Sequence, residues 1–419
     1  YIEKALSYST SLLSKYDKLT ITIDKILLNK YLAIPIFLLI MFIVYTVSVG
    51  IVGSRGVDYI ENFFFWFQTK TFAWLKTLNA SDWSASLFVD GVIGGLGAMA
   101  PFIPQLIVLF FFINLLEATG YMTRISFFLD RLFRRFGLSG RALIPFIIGS
   151  GCSVPAIASS RGIEDKKERE MTVILTPMIP CSAKLPIITV FASFFFKKYA
   201  GLITFLLYLF SIVIIILAAL IMKYLFKVKR TSGYISELPT YKIPRFRYVF
   251  RNITTQVWDF IKNATTIIVF SSIILWFLLS FDFRFTYGVP IENSIIAKIG
   301  YYLSYLFYPI IGELSWASGV SALQGFIAKE NVIVSMRVIA GVSGQGSIFN
   351  SPAFAFFTTS SAVSFMIFNL FSAPCLASIG AMKMELGSAK KTFYGVLFQT
   401  ALAYLLAVIV FNILRLGGL

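Results

Sequence analysis

The chain has 419 residues, 58% hydrophobic and 14% charged, with 37 Lys and Arg against 20 Asp and Glu and no His. Soluble domains carry roughly 25% charged residues, so this composition excludes an ordinary soluble fold, and several apolar runs reach the roughly 20 residues that cross a bilayer as a helix. The net charge of +17 fits basic cytoplasmic loops and not a nucleic-acid surface, and three Cys exclude a disulfide framework.

The apolar runs are continuous and not alternating, which predicts an all-α polytopic membrane protein and not a barrel. Residues 1–30 read as a cytoplasmic amphipathic helix and linker, with five Lys against Glu3, Asp17 and Asp24. They lack the apolar stretch of a signal peptide, and a chain beginning at Tyr1 is expected to be a piece of a longer protein. A first span is expected over 31–52, with Pro35 in its first turn, where proline is tolerated. The "FFFWF" group, Trp74 and Trp83 predict an extracytoplasmic interfacial helix over 53–83.

From Ser84 a Gly-rich stretch leads into "PQLIVLFFFINLLEATGYM", and the loop 121–141 then sets five Arg against Asp130. That imbalance marks the cytoplasmic side. Residues 142–160 are apolar but short and broken, with cytoplasmic charges on both flanks, so a re-entrant segment is expected there. Spans are expected at 171–196 and 202–222, followed by a cytoplasmic loop, 223–251, with eight basic residues against Glu237. A span at 254–281, a second broken region at 299–337, and spans at 353–371 and 393–414 complete the chain. The expected total is seven to eight transmembrane helices with two re-entrant or broken-helix regions.

"IPCSA" around Cys181 and "APCLA" around Cys375 repeat the pattern Pro-Cys-x-Ala, and each follows a broken segment, "GCSVPA" and "GFIAKE". Loop charges set the first broken segment on the cytoplasmic side and the second outside, the pattern of an inverted repeat.

Proline has no N–H, so within a helical turn it strips the carbonyl four residues earlier of its donor. Pro155 would release Gly151, Pro180 would release Thr176, and Pro374 would release Leu370. A carbonyl without a donor at membrane depth invites a cation, and a neighbouring thiol adds a soft ligand suited to Fe(II), Cu(I) or Zn. Cys152, Cys181 and Cys375 are therefore candidate path or metal-binding residues, against the plain alternative of small buried hydrophobes. Glu117, ending a very apolar run, is a candidate carboxylate, against a membrane-edge position near the arginines. Lys329 and Glu330 are secondary candidates that can simply pair. The "TTSSAVS" run either lines an aqueous path or bonds back to helix carbonyls. Lys184, three residues after Cys181, would favour thiolate but repel a metal ion.

"LLEATGYMTRISFFLDRLFRRFGLSGRALIPFIIGSGCSVPAIASSR" resembles the first Gate region of the FeoB ferrous-iron transporters, and "TPMIPCSAKLPI" that family's second cysteine motif. "GFIAKENVI" and "APCLASIGAMKMELGS" resemble its second Gate region, and "DKILLNKYLAIPIFLLIMF" the start of its first span. The resemblance implies inward Fe(II) transport across the bacterial inner membrane, with Fe(II) as the substrate and no tightly bound cofactor. It carries over Cys152, Cys181, Cys375 and Glu117 as path candidates. The alternative is a Gate-type carrier of nucleosides or another small molecule. The family's N-terminal GTPase and helical domains are its expected cytoplasmic partners, beside the lipid bilayer and, optionally, further copies of the chain. No G-x-x-x-x-G-K-[ST] loop occurs here, so no GTPase activity is expected of this chain. The implied organisation is a linker (1–30), a first helix with its interfacial segment (31–83), a first Gate repeat (84–225), a basic loop (226–252), and a second Gate repeat with the C-terminal helices (253–419).

Overall fold

The computed structural model describes residues 20–27, 29, 31–78, 81–226, 241, 246–327, 329, 331–340 and 348–417. The described residues are helical, with one isolated bridge between Phe281 and Tyr287. A helix satisfies its backbone hydrogen bonds within itself, which is what a lipid-facing chain requires.

The first helices are α1 (Ala33–Tyr45), which runs through a π-helical turn (Thr46–Ile51) into α2 (Val52–Thr77). The expected boundary between span and interfacial segment at residue 53 is therefore not a break, because neither Gly nor Pro interrupts the turn strongly enough to stop the helix. Next come α3 (Phe102–Ala118), α4 (Tyr121–Phe133), α5 (Leu143–Gly151), α6 (Ser153–Ser159), α7 (Lys166–Leu175), α8 (Leu185–Phe195) and α9 (Ala200–Leu225). The remainder comprises α10 (Phe246–Ser280), α11 (Ile295–Ile311), α12 (Trp316–Ile327), α13 (Asn331–Ala340), α14 (Thr359–Phe371), α15 (Leu376–Leu386) and α16 (Ala389–Leu416).

Among the described residues, three helical stretches are long and apolar enough to cross a membrane: 197–225, 359–386 and 389–416. Two bent pairs, α3 with α4 at 75° and α11 with α12 at 91°, are each a broken span or a re-entrant loop. Shorter apolar segments lie at 33–48, 185–195 and 269–280. The molecule is an all-α polytopic membrane protein; against the seven to eight transmembrane helices expected, the described residues give three that are long and apolar enough, or five if each bent pair is one span. The run 171–196, expected as one span, is two helices, because Pro177 and Pro180 remove two donors in succession.

Both bends turn on a glycine in the left-handed region, Gly120 at φ 82° and Gly312 at φ 88°, where a side chain would be strained. The element order recurs after them. In the first half a helix broken in its middle (α5–α6) precedes a capped helix (α7), a Pro-Cys break, a short helix (α8) and a long one (α9). In the second half α12–α13, α14, a Pro-Cys break, α15 and α16 follow in that order.

The two halves meet around α14. Of an 18-residue apolar window in each, 72% is buried in 359–386, against 22% in 389–416. The ring of Phe191 from α8 packs against Phe349, Phe357 and Phe365 at 4.8, 5.3 and 5.4 Å between centroids. Such aromatic contacts add to area burial at close range and fix α8 against α14.

Candidate functional site

Three backbone breaks build the site. The first is a single extended residue: Cys152, at φ −148° and ψ 130°, ends α5 and begins α6. Pro155 falls in the first turn of α6, where no N–H is needed. The carbonyl of Gly151 accepts from Ser182 N at 3.2 Å and Ser182 Oγ at 2.9 Å. In the second break the carbonyl of Thr176 accepts from Ile179 N at 3.2 Å, and Pro180 stands outside any helix. The expectation that Pro155 and Pro180 leave carbonyls for a cation is thus overturned, since both lie where helical donors were never due. Pro374 likewise stands outside any helix, beyond the end of α14, and Lys184 Nζ reaches the Leu370 carbonyl in the last turn of α14 at 2.7 Å.

The breaks converge on a cavity of about 90 Å³. Cys152, Cys181 and Cys375 all line it, although 29 and 194 positions separate them along the chain. Its polar lining comes from Tyr45, Ser48, Gln105, Ser153, Ser182 and Ser378, and Leu106, Leu109 and Phe260 close its apolar walls. No disulfide joins the thiols. Cys375 Sγ lies 3.2 Å from Ser378 Oγ, Ser48 Oγ donates to the Gln105 carbonyl at 2.9 Å, and Tyr45 OH donates to the Ile147 carbonyl at 2.9 Å. Among the described residues no three His, Cys, Asp or Glu side chains come close enough to hold one metal ion together. The cavity is therefore lined by thiols without being a thiolate cage.

Behind Cys181 and Cys375 lie two buried lysines, each 2% exposed. Lys184 Nζ donates to the carbonyls of Pro177 (2.7 Å), Ile179 (3.2 Å) and Leu370 (2.7 Å). Lys329 Nζ donates to the carbonyls of Asn369 (2.6 Å) and Ser372 (3.3 Å) and bonds to Ser372 Oγ (3.2 Å). Both engage the C-terminal end of α14, where the last carbonyls have no helical donors and the helix dipole is negative. Glu330, the other expected member of a pair with Lys329, lies outside the described residues.

Glu117 does not line the cavity. It sits on the last turn of α3, with its side chain exposed, just before the bend. An apolar helix can carry a carboxylate at its end without aiming it inward, and sequence position alone does not distinguish the two. The "TTSSAVS" run also stays outside the cavity. Thr358 and Ser361 form a capping box on α14, and Ser364 Oγ donates to the Ala407 carbonyl at 2.8 Å.

Two groups escaped sequence reasoning. The carbonyl-binding role of Lys184 escaped because its partner Leu370 is 186 positions away. Arg124, counted only as a loop charge, is 1% exposed. It donates to the Gly120 carbonyl at the bend (3.1 Å), pairs with Asp24 (2.6 Å), and lies 3.7 Å from the ring centroid of Tyr241. Tyr241 OH donates to the same Asp24 at 3.0 Å. Only the "DK" before the first span hinted at a partner.

A family model described as "Gate: Nucleoside recognition" matches residues 99–195 and 261–389, and one described as "Ferrous iron transport protein B C terminus" matches 204–256. A protein of Staphylococcus aureus named "Fe(2+) transporter FeoB" is 35% identical over 396 residues, 93% of this chain and 58% of the relative. Proteins of the same name from Methanocaldococcus jannaschii and Helicobacter pylori are 36% identical over 364 residues and 33% identical over 432 residues. These alignments cover 85% and 94% of this chain, and 53% and 66% of the two relatives. The chain thus spans less than two thirds of the length of the curated relatives it matches. No solved structure matches.

Proposed function

This chain belongs to the FeoB family, whose C-terminal membrane region it carries, and from that premise we propose that it conducts Fe(II) inward across the bacterial inner membrane. The observation that carries the reading is the convergence of Cys152, Cys181 and Cys375, from three separate breaks, on one cavity. Thiolate suits Fe(II) better than Mg or Ca. The lining that supports passage is thiol and hydroxyl. Glu117 does not line this cavity, and the Gly151 and Leu370 carbonyls each already accept from a donor. Thiols that cannot all bind one ion at once suit a path, since conduction needs sites that release as well as bind.

The alternative, a carrier of nucleosides, is served less well. Small-molecule pockets enclose roughly 300–1,000 Å³, while this cavity has about 90 Å³. Control by a GTPase domain, as the resemblance implies, belongs to the same proposal.

The test is uptake in proteoliposomes reconstituted with this chain and loaded with a ferrous chelator dye. Fe(II) should quench the dye, Mg(II) should neither enter nor compete, and a supplied GTPase domain should change the rate. Uptake of a labelled nucleoside in place of Fe(II) would overturn the reading in favour of the alternative.

A further inference from the structure

We propose that Lys184 and Lys329 are tethered cations filling a carbonyl cage at the C-terminal end of α14, and that they exclude bare monovalent cations from the molecule's interior. The role in exclusion rests on the conduction reading; the cage itself does not.

The geometry at Lys184 suits an ammonium. Three carbonyls accept from its Nζ, at 2.7, 3.2 and 2.7 Å. A carbonyl cannot donate, so three such bonds need three N–H groups, and only the ammonium has three. Lys329 adds the Asn369 and Ser372 carbonyls and the Ser372 hydroxyl. Among the described residues no carboxylate forms an ion pair with either lysine. Their countercharge is the oxygen cluster itself, backed by the negative end of α14.

A cluster of inward-facing carbonyls is also what a dehydrated alkali ion binds. The residue that gives Lys329 its closest carbonyl also carries a buried acceptor, set against Gly325. Asn369 Nδ2 donates to the Phe365 carbonyl at 3.0 Å, which fixes the amide's orientation, and its buried Oδ1 has no hydrogen-bond partner. Asn369 is 2% exposed. Buried oxygens of this kind are normally satisfied.

The location gives the cage its consequence. Lys184 follows directly on Ser182 and Ala183, which line the cavity, and Lys329 holds the Ser372 carbonyl three residues before Cys375, which also lines it. A soft cation can be held by sulfur on the cavity side. A hard monovalent cation finds the oxygen site already occupied.

The experiment uses the purified full chain with Lys184→Ala, Lys329→Ala and the double alanine variant, and Lys184→Met and Lys329→Met, which better preserve volume. Thermal unfolding is followed in ammonium or methylammonium chloride against choline chloride at equal ionic strength. The small ammonium ions should raise the melting temperature of the alanine variants by several degrees and leave the wild type unmoved. In proteoliposomes the variants should leak K⁺ at least about tenfold faster than wild type. Variants that are monodisperse, gain nothing specific from ammonium and stay tight to K⁺ overturn the proposal. If the alanine variants fold in neither salt, the methionine variants decide: a K⁺ leak supports the cage, and tight vesicles overturn it. Iron is absent from both measurements, so their outcome is separable from that of the uptake assay.

Discussion

The break at Cys181 and the break at Cys375 share the pattern Pro-Cys-x-Ala, yet the first is closed by its own residues and the second by lysines from elsewhere. At the first, Ile179 N takes the Thr176 carbonyl and Lys184, from the break itself, takes those of Pro177 and Ile179. At the second, the carbonyls of Asn369, Leu370 and Ser372 are taken by lysines from two other elements. The fourth position of the pattern's neighbourhood explains part of this. Residue 184 is Lys, while the equivalent residue after Cys375 is Ser378, whose hydroxyl turns back to the thiol. A repeated motif therefore fixes where a helix stops, and the residues beside it decide what compensates the stop.

The same contrast runs through the bends and the helix starts, and it can be broken experimentally. The bend at Gly120 is pinned by charge: Arg124 reaches the bend carbonyl and Asp24. The bend at Gly312 is held by shape, with Phe411 Cζ 2.9 Å from where a Cβ would stand. Arg124→Leu leaves Asp24 without its cation and should cost about 3 kcal/mol, read as a lowered unfolding temperature in detergent. Gly312→Ala combines positive φ with a crowded ring and should cost about 2 kcal/mol. A reversed order would show that charge contributes less to the first bend than shape does to the second.

The thiols sharpen the comparison at the level of transport. Single Cys→Ser changes at 152, 181 and 375 should each lower iron uptake, by about tenfold for the strongest, with unfolding temperature nearly unchanged. Unchanged uptake in all three singles and in the triple variant would make the cysteines packing residues.

The smallest expected effect is a pH dependence confined to the first half. The N-terminus of α7 is capped by Asp165, which accepts from Glu168 N at 2.8 Å, and Glu168 Oε1 accepts from Ser139 N at 2.7 Å. Burial pushes the Glu168 carboxyl above its ordinary range, an effect the Ser139 hydrogen bond offsets only in part. The folded state then holds this proton more tightly than the unfolded chain does. Its contribution to stability is greatest at low pH and falls as pH rises from the ordinary glutamate range through the raised value. Glu168→Gln should flatten that part of the pH–stability curve. The start of α14 uses Thr358 and Ser361, which do not titrate in this range, so Ser361→Ala should lower stability without changing the slope.

Much of the fold was legible because its cues are local. Cys152 between glycine and proline marked the α5–α6 break. The arginine-rich segment after α3, expected as a loop, is mostly helix α4, with Arg124 buried in it. The run 171–196 misled because its mean apolarity hides two prolines that cut it. Glu117 misled because an intramembrane carboxylate and one at an exposed helix end read alike in sequence.

Composition, the positions of Gly and Pro, and the spacing of apolar residues act through each residue's own backbone and its immediate neighbours. They determined by themselves that the chain is helical, crosses a membrane, and is broken at Cys152, Cys181 and Cys375. Which broken ends meet is a matter of long-range packing. Only the tertiary structure put the three thiols around one cavity, left Glu117 outside it, and closed the Leu370 carbonyl with an ammonium from 186 positions away. The physical reason is that a buried carbonyl must find a donor somewhere, and nothing in its own segment says which distant side chain will supply it.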